Sequence, residues 1–106
     1  MEPIKRFLYW LLDGTRGGPT RVRLLSILSR RPMNLHQLAL SAKLDYSTAE
    51  HHIRLLEKHS IVECTGAGYG KLYFVSDSPA IHEYIKEKLE GEGFYENKKT
   101  GPNKIR

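Results

Sequence analysis

Ser47, Glu50, His51, Arg54 and Lys58 fall on one side of a 3.6-residue period, and Ala49, Ile53 and Leu56 fall on the other. The first set places short hydrogen-bonding groups near the start of a helix and cations farther along it. Such a set can meet base edges or phosphate oxygens in a nucleic-acid groove. It can equally be the solvated side of an ordinary amphipathic helix, and the periodicity by itself does not choose. A second group bears on the choice. Arg16, Arg21, Arg23, Arg30 and Arg31 stand within sixteen positions that contain no acidic residue, and the chain as a whole carries a formal charge of +5. A local cationic surface on a balanced domain suits a polyanionic partner, although a cluster of solvated arginines has the same composition.

Other chemistries find less support. The chain shows no Ser/His/Asp set, paired carboxylates or phosphate-binding glycine loop, and we expect no enzyme. The single cysteine, Cys64, has no second thiol for a disulfide or a CxxC zinc site. His51 and His52 are adjacent, so their side chains diverge by about 100° on a helix and cannot easily share an ion. We expect no metal site and no cofactor. His52 lies near the border of the apolar stripe and reads as a partly buried structural histidine. Cys64 reads as an inert core thiol, with a redox role as the alternative. No apolar run approaches the roughly 20 residues of a membrane span and the N-terminus lacks the order of a signal peptide, so a cytosolic location is expected.

The elements that must hold these residues follow from punctuation and periodicity. With 106 residues, 40% hydrophobic and 27% charged, one soluble domain is expected over 1–90. A flexible basic tail over 91–106, rich in Gly, Glu, Asn and Lys, follows it. Ile4, Phe7, Leu8 and Leu11 make one face of a first helix that Gly14 stops. Pro19 opens a second helix to about Arg30, where Val22, Leu24, Leu25, Ile27 and Leu28 cover most of the circumference and Pro32 ends it. Asn34 and Gln37 form a capping box for a short helix to about Ala42, with Leu35, Leu38 and Ala39 inward. Lys43-Leu44-Asp45 makes a turn in which Leu44 plugs the core and Asp45 caps the next helix, about 46–59. Ile61–Thr65 and Leu72–Val75 are β-branched or aromatic and flank a glycine-rich tip at 66–71, which is a hairpin. Ser78 caps and Pro79 starts a last helix lined by Ile81, Tyr84, Ile85 and Leu89.

This order, mainly α with one small β-hairpin, meets a resemblance. Thr20-Arg-Val-Arg-Leu-Leu-Ser-Ile-Leu28, Asn34-Leu-His-Gln-Leu-Ala39, the block Leu44 to Lys58 with its Tyr-Ser-Thr-x-x-His-His-x-x-x-Leu core, and the glycine-tipped hairpin resemble the ArsR-like winged helix-turn-helix regulators over about 14–76. Gly14-Thr-Arg-Gly-Gly18 ahead of the first core helix resembles archaeal members in particular. The resemblance implies a winged helix-turn-helix with additional terminal helices, and sequence-specific binding of double-stranded DNA as a homodimer that regulates transcription. It also implies a recognition helix with Tyr46, Ser47, Thr48, His51 and Arg54 as readers and Lys58 on the same side, in the major groove. Ser47 and Thr48 are placed to offer hydroxyls and free backbone N–H groups to phosphate or a base edge. Arg54 can pair with guanine or grip a phosphate, and Glu50 can accept from cytosine or pair with Arg54 four residues on. The hairpin becomes the wing, with Tyr69 and Lys71 beside a minor groove or phosphate strand. Arg16, Arg21 and Arg23 become clamps on the DNA backbone. The thiolate pair of the family's metal-sensing branch is absent.

The terminal stripes Ile4, Phe7, Leu8, Leu11 and Ile81, Tyr84, Ile85, Leu89 exceed what a winged-helix core needs to close. Covering them across a two-fold axis makes a homodimer that binds a pseudo-palindromic site; folding both helices back onto their own domain makes a monomer. A winged-helix protein-interaction module without DNA readout is the alternative function.

Overall fold

Helix starts and stops follow local chemistry closely. The computed structural model describes residues 3–90, the side chain of Tyr69 excepted; the tail predicted over 91–106 lies outside the described residues. The chain runs as α1 (Pro3–Leu8), a π-helical segment (Tyr9–Asp13), α2 (Gly18–Leu28), α3 (Leu35–Ala42), α4 (Tyr46–Lys58), β1 (Val62–Thr65), a 3₁₀ turn (Gly68–Gly70), β2 (Leu72–Val75) and α5 (Pro79–Lys88). The capping box forms as spelled: the Gln37 amide donates to the Asn34 side chain at 2.8 Å and the Asn34 amide to the Gln37 side chain at 3.0 Å. Ser78 accepts from the Ile81 amide, with Pro79 opening α5. The first helix differs from the single regular helix, stopped by Gly14, that its stripe suggests. It widens over Tyr9–Asp13, and the Gly14 amide donates to both Tyr9 and Trp10 carbonyls.

α2 is the central element and touches α3, α4, α5, β2 and the π-helical segment, as its nearly all-round apolar surface requires. Leu24, Leu25, Leu38, Ile53, Leu56 and Ile61 sit at the middle of the core. β1 and β2 pair antiparallel from Val62–Val75 to Thr65–Leu72. An isolated bridge between Met33 and Tyr73, with N–H to carbonyl distances of 3.1 and 2.8 Å, ties the hairpin to the strand-like residue just before α3. The tip needs its first glycine: Gly66 has φ +91°, and a Cβ there would stand 2.9 Å from the Gly70 carbonyl oxygen.

The terminal stripes correct the sequence-based assignment. Leu8, Leu11, Ile81, Tyr84 and Ile85 are between 0 and 6% exposed within one chain, and Ile4, Phe7 and Leu89 pack against the same core at its edge. Leu8, Leu11, Ile81, Tyr84 and Ile85 are thus the chain's own core, not a surface offered to a partner, because the two terminal helices pack on each other; Ile4, Phe7 and Leu89 stay part-exposed. Polar groups fix that pairing. Lys5 lies 3.5 Å from both Glu83 and Glu87, Tyr9 donates to Glu87 at 3.0 Å, Tyr84 donates to Asp13 at 2.8 Å, and Lys88 reaches Asp13 at 2.7 Å. What remains outward on this side includes Trp10, 60% exposed and in ring contact with Phe7 at 6.0 Å.

Candidate nucleic-acid interface

The turn between α3 and α4 sets the aim of α4. Lys43 takes the left-handed conformation at φ 59°, and the Leu44 amide closes back on the Ala39 carbonyl at 3.0 Å. Leu44 packs against the core as expected, and Asp45 caps α4 by accepting from the Thr48 amide at 2.7 Å. The Thr48 hydroxyl first, then that amide, and last the Ser47 hydroxyl, which donates to the same carboxylate at 3.5 Å, hold the Asp45 carboxyl below its ordinary range. The cap revises one expectation. The Thr48 N–H is already committed to a carboxylate, so the start of α4 is not an open anion site; Ser47 remains exposed and Thr48 is half-buried.

Along α4 the burial split is sharp. Ala49, Ile53 and Leu56 are fully buried, whereas Tyr46, Ser47, His51, Arg54 and Lys58 are exposed. Glu50 resolves toward the pairing alternative: its Oε2 accepts from Arg54 Nε at 3.3 Å and Nη2 at 2.9 Å. A groove of about 290 Å³ runs between the start of α3, α4 and the hairpin, lined in part by Asn34, His36, Tyr46, Glu50, Arg54 and Lys71. Lys71 is half-buried, with its ammonium 5.8 Å from the centre of the Tyr73 ring. Since Tyr73 is bridged to Met33, the Lys71 wall of the groove is fixed to α3. The side chain of Tyr69 lies outside what is described.

The arginine segment divides. Arg16 is exposed. Arg23 is exposed but donates through Nη2 to the Ala42 carbonyl, where the end of α3 presents unsatisfied acceptors. Arg21 is a correction: it is 5% exposed and cannot clamp a DNA backbone. Its Nη1 donates to His52 Nδ1 at 3.1 Å, and its Nη2 donates to the Thr15 hydroxyl and to the Leu11 carbonyl. Its Nε has no hydrogen-bond partner among the described residues. The signal was in the spacing: Arg21 precedes Leu24, Leu25 and Leu28 by three, four and seven residues, which puts it on the inward stripe of α2.

His52 is half-buried against Arg21, as its border position on the helix suggested. A guanidinium only donates, so His52 Nδ1 must accept, and the ring is neutral with its proton on Nε2. Burial, then the charges of Arg21 and His51, lower its pKa from 6.5. The unfolded chain therefore takes up this proton before the folded one does. The contribution of His52 is complete above about pH 6.5 and is lost as pH falls below it. His52→Gln keeps an acceptor for Arg21 but does not titrate. Chemical denaturation of both forms between pH 8 and 5 should give a variant that loses less stability on acidification, and parallel curves would refute the assignment.

Cys64 is half-buried in β1 and donates to the Glu57 carboxylate at 3.3 Å. That bond first, and burial second, push its thiol up, away from the thiolate that redox chemistry requires. Among the described residues no three His, Cys, Asp or Glu side chains gather as metal ligands. No helix among them is long and apolar enough to cross a membrane.

Residues 18–63 match the family described as "Bacterial regulatory protein, arsR family". A curated relative, the transcriptional repressor SmtB homolog of Synechocystis sp., is 29% identical over 66 residues, or 62% of this chain; the match spans half of that protein's length. Among solved structures, HlyU from Vibrio cholerae is similar with a TM-score of 0.72 at 17% identity, covering 88% of this chain and 99% of its own. The transcriptional repressor BigR from Xylella fastidiosa gives 0.68 at 17%, covering 82% and 85%. The homodimeric winged helix-turn-helix DNA-binding domain of Mb0332 from Mycobacterium bovis gives 0.64 at 14%, covering 90% and 82%. At these identities the structural matches establish the winged helix-turn-helix fold.

Proposed function

We propose that this chain, which carries an ArsR-family helix-turn-helix domain over residues 18–63, binds a specific double-stranded DNA site as a homodimer and regulates transcription from it. The matched family is one of regulatory proteins, not enzymes. The observation that carries the reading is the burial split of α4: three side chains on one stripe anchor it, and the opposite stripe is outward at the helix's N-terminal half. This is the presentation a recognition helix needs in a major groove. Tyr46, Ser47, His51 and Arg54 are the readers in this account, with Thr48 at the margin and Lys58 toward the backbone. The wing at 66–71 lies over flanking phosphates or the minor groove, Lys71 and Tyr69 being its contacts, and Arg16 and Arg23 flank the site.

Because the terminal stripes are spent within the chain, the dimer contact falls on the outer surface of the terminal helices, where Trp10 stands exposed. A two-fold axis there sets two copies of α4 about one DNA turn, roughly 34 Å, apart. The M. bovis neighbour is described as homodimeric, which supports this assembly without fixing its contacts. Titration of a fluorescent duplex across a salt series tests the reading. Binding should weaken log-linearly with salt, at a slope of about −0.9 per phosphate contacted. No binding at low salt, or a flat slope, would refute it.

A further inference from the structure

We infer, resting on the DNA-binding reading above, that Glu50 is a positioning residue for base recognition: it holds Arg54 so that the outer edge of the guanidinium addresses a guanine. One carboxylate oxygen, Oε2, accepts from both Nε and Nη2 of Arg54. That grip uses the Nε–Nη2 edge of a rigid planar fork. That leaves the Nη1–Nη2 edge of a largely exposed side chain, whose two parallel N–H groups match the O6 and N7 acceptors of guanine in the major groove. Exposure agrees with this division of labour. The Glu50 side chain is 34% exposed against the wall of α4, and that of Arg54 is 73% exposed beyond it.

The carboxylate has a second consequence. An unpaired arginine on this face would grip any phosphate, whatever the sequence. Glu50 offsets the Arg54 charge and is itself repelled by phosphate, so the pair gives little to non-specific binding. The half-buried Lys71, held over Tyr73 across the groove, is a separate cation for the backbone. Glu50 thus exchanges general affinity for discrimination at one base pair in each half-site.

The test uses the full chain with Glu50→Ala, Glu50→Gln and Arg54→Ala, titrated onto a selected duplex and onto copies in which each G·C pair is replaced by A·T. The unmodified protein should prefer G·C by on the order of tenfold at one position per half-site, and Arg54→Ala should abolish that preference. Glu50→Ala should cut it several-fold at that position alone, while binding random duplex more tightly and with a salt slope steeper by about one per half-site. Glu50→Gln, which keeps an acceptor oxygen, should retain most of the preference. An unchanged preference in Glu50→Ala, whatever happens to overall affinity, would overturn the inference and leave the DNA reading standing. An unmodified chain that binds no duplex would defeat the reading itself, and the inference with it.

Discussion

Ile53→Ala should lower the unfolding free energy by about 3 kcal/mol and the thermal midpoint by roughly 12–24 °C. Ile53 is fully buried in the middle of the inner stripe of α4, between Ala49 and Leu56. Truncation removes the transfer free energy of three carbons and leaves a void that the surrounding helices cannot close. A domain of this size has a total stability of roughly 0.05–0.15 kcal/mol per residue, so the loss is a large part of it. His51→Ala, two positions away on the exposed side, should stay within about 0.5 kcal/mol. The contrast between opposite faces of one helix makes the pair informative. A loss under about 1 kcal/mol at Ile53, by urea or thermal denaturation, would mean that α4 is not anchored as described and that its outward face is not fixed in direction.

Gly18→Ala is the second large effect, and its cause is covalent geometry. A Cβ on Gly18 would stand 2.0 Å from the Leu12 carbonyl oxygen and 2.7 Å from the Leu12 carbonyl carbon. Both are backbone atoms, so no rotamer change relieves the clash. The π-helical segment would have to move off the start of α2 and carry Leu11 and Leu12 with it, both of them buried. Overpacking of this kind costs about 1–3 kcal/mol, and contact this close places Gly18→Ala at about 3. Gly70→Ala is the control: nothing stands within 4 Å of a Cβ there, and its effect should fall within about 0.5 kcal/mol. Equal midpoints for the two variants would contradict the close approach.

Local signals carried the helix boundaries into three dimensions because each is satisfied by atoms a few residues apart. The Asn34 and Gln37 box, the Asp45 cap and the Ser78-Pro79 start needed no tertiary information. The apolar stripe of α4 was legible for the same reason. Arg21 was not, because its charge suggested a surface while its spacing pointed inward; a buried guanidinium survives only where carbonyl, hydroxyl and imidazole acceptors converge, and those come from Leu11, Thr15 and His52. The terminal stripes posed a different difficulty. Periodicity tells which face is apolar but not which surface covers it, and two stripes in one chain can cover each other as readily as a symmetry mate. The charges that fix the pairing, Lys5 with Glu83 and Glu87, and Asp13 with Lys88, are some eighty residues apart and show no local pattern. The Glu50–Arg54 pair lies between these cases: its spacing allowed the contact, and only the structure chose it over a free arginine.

In the proposed function, the outward face of α4, presented twice about a symmetry axis, reads a DNA sequence. Selection of bound duplexes from a random pool by the full chain tests it most directly. The recovered pool should be enriched in an inverted repeat whose half-site centres are about 10 base pairs apart, with a G·C pair in each half whose enrichment disappears in Arg54→Ala. A recovered pool indistinguishable from the input, or a motif whose preferences are the same with Arg54→Ala, would contradict it.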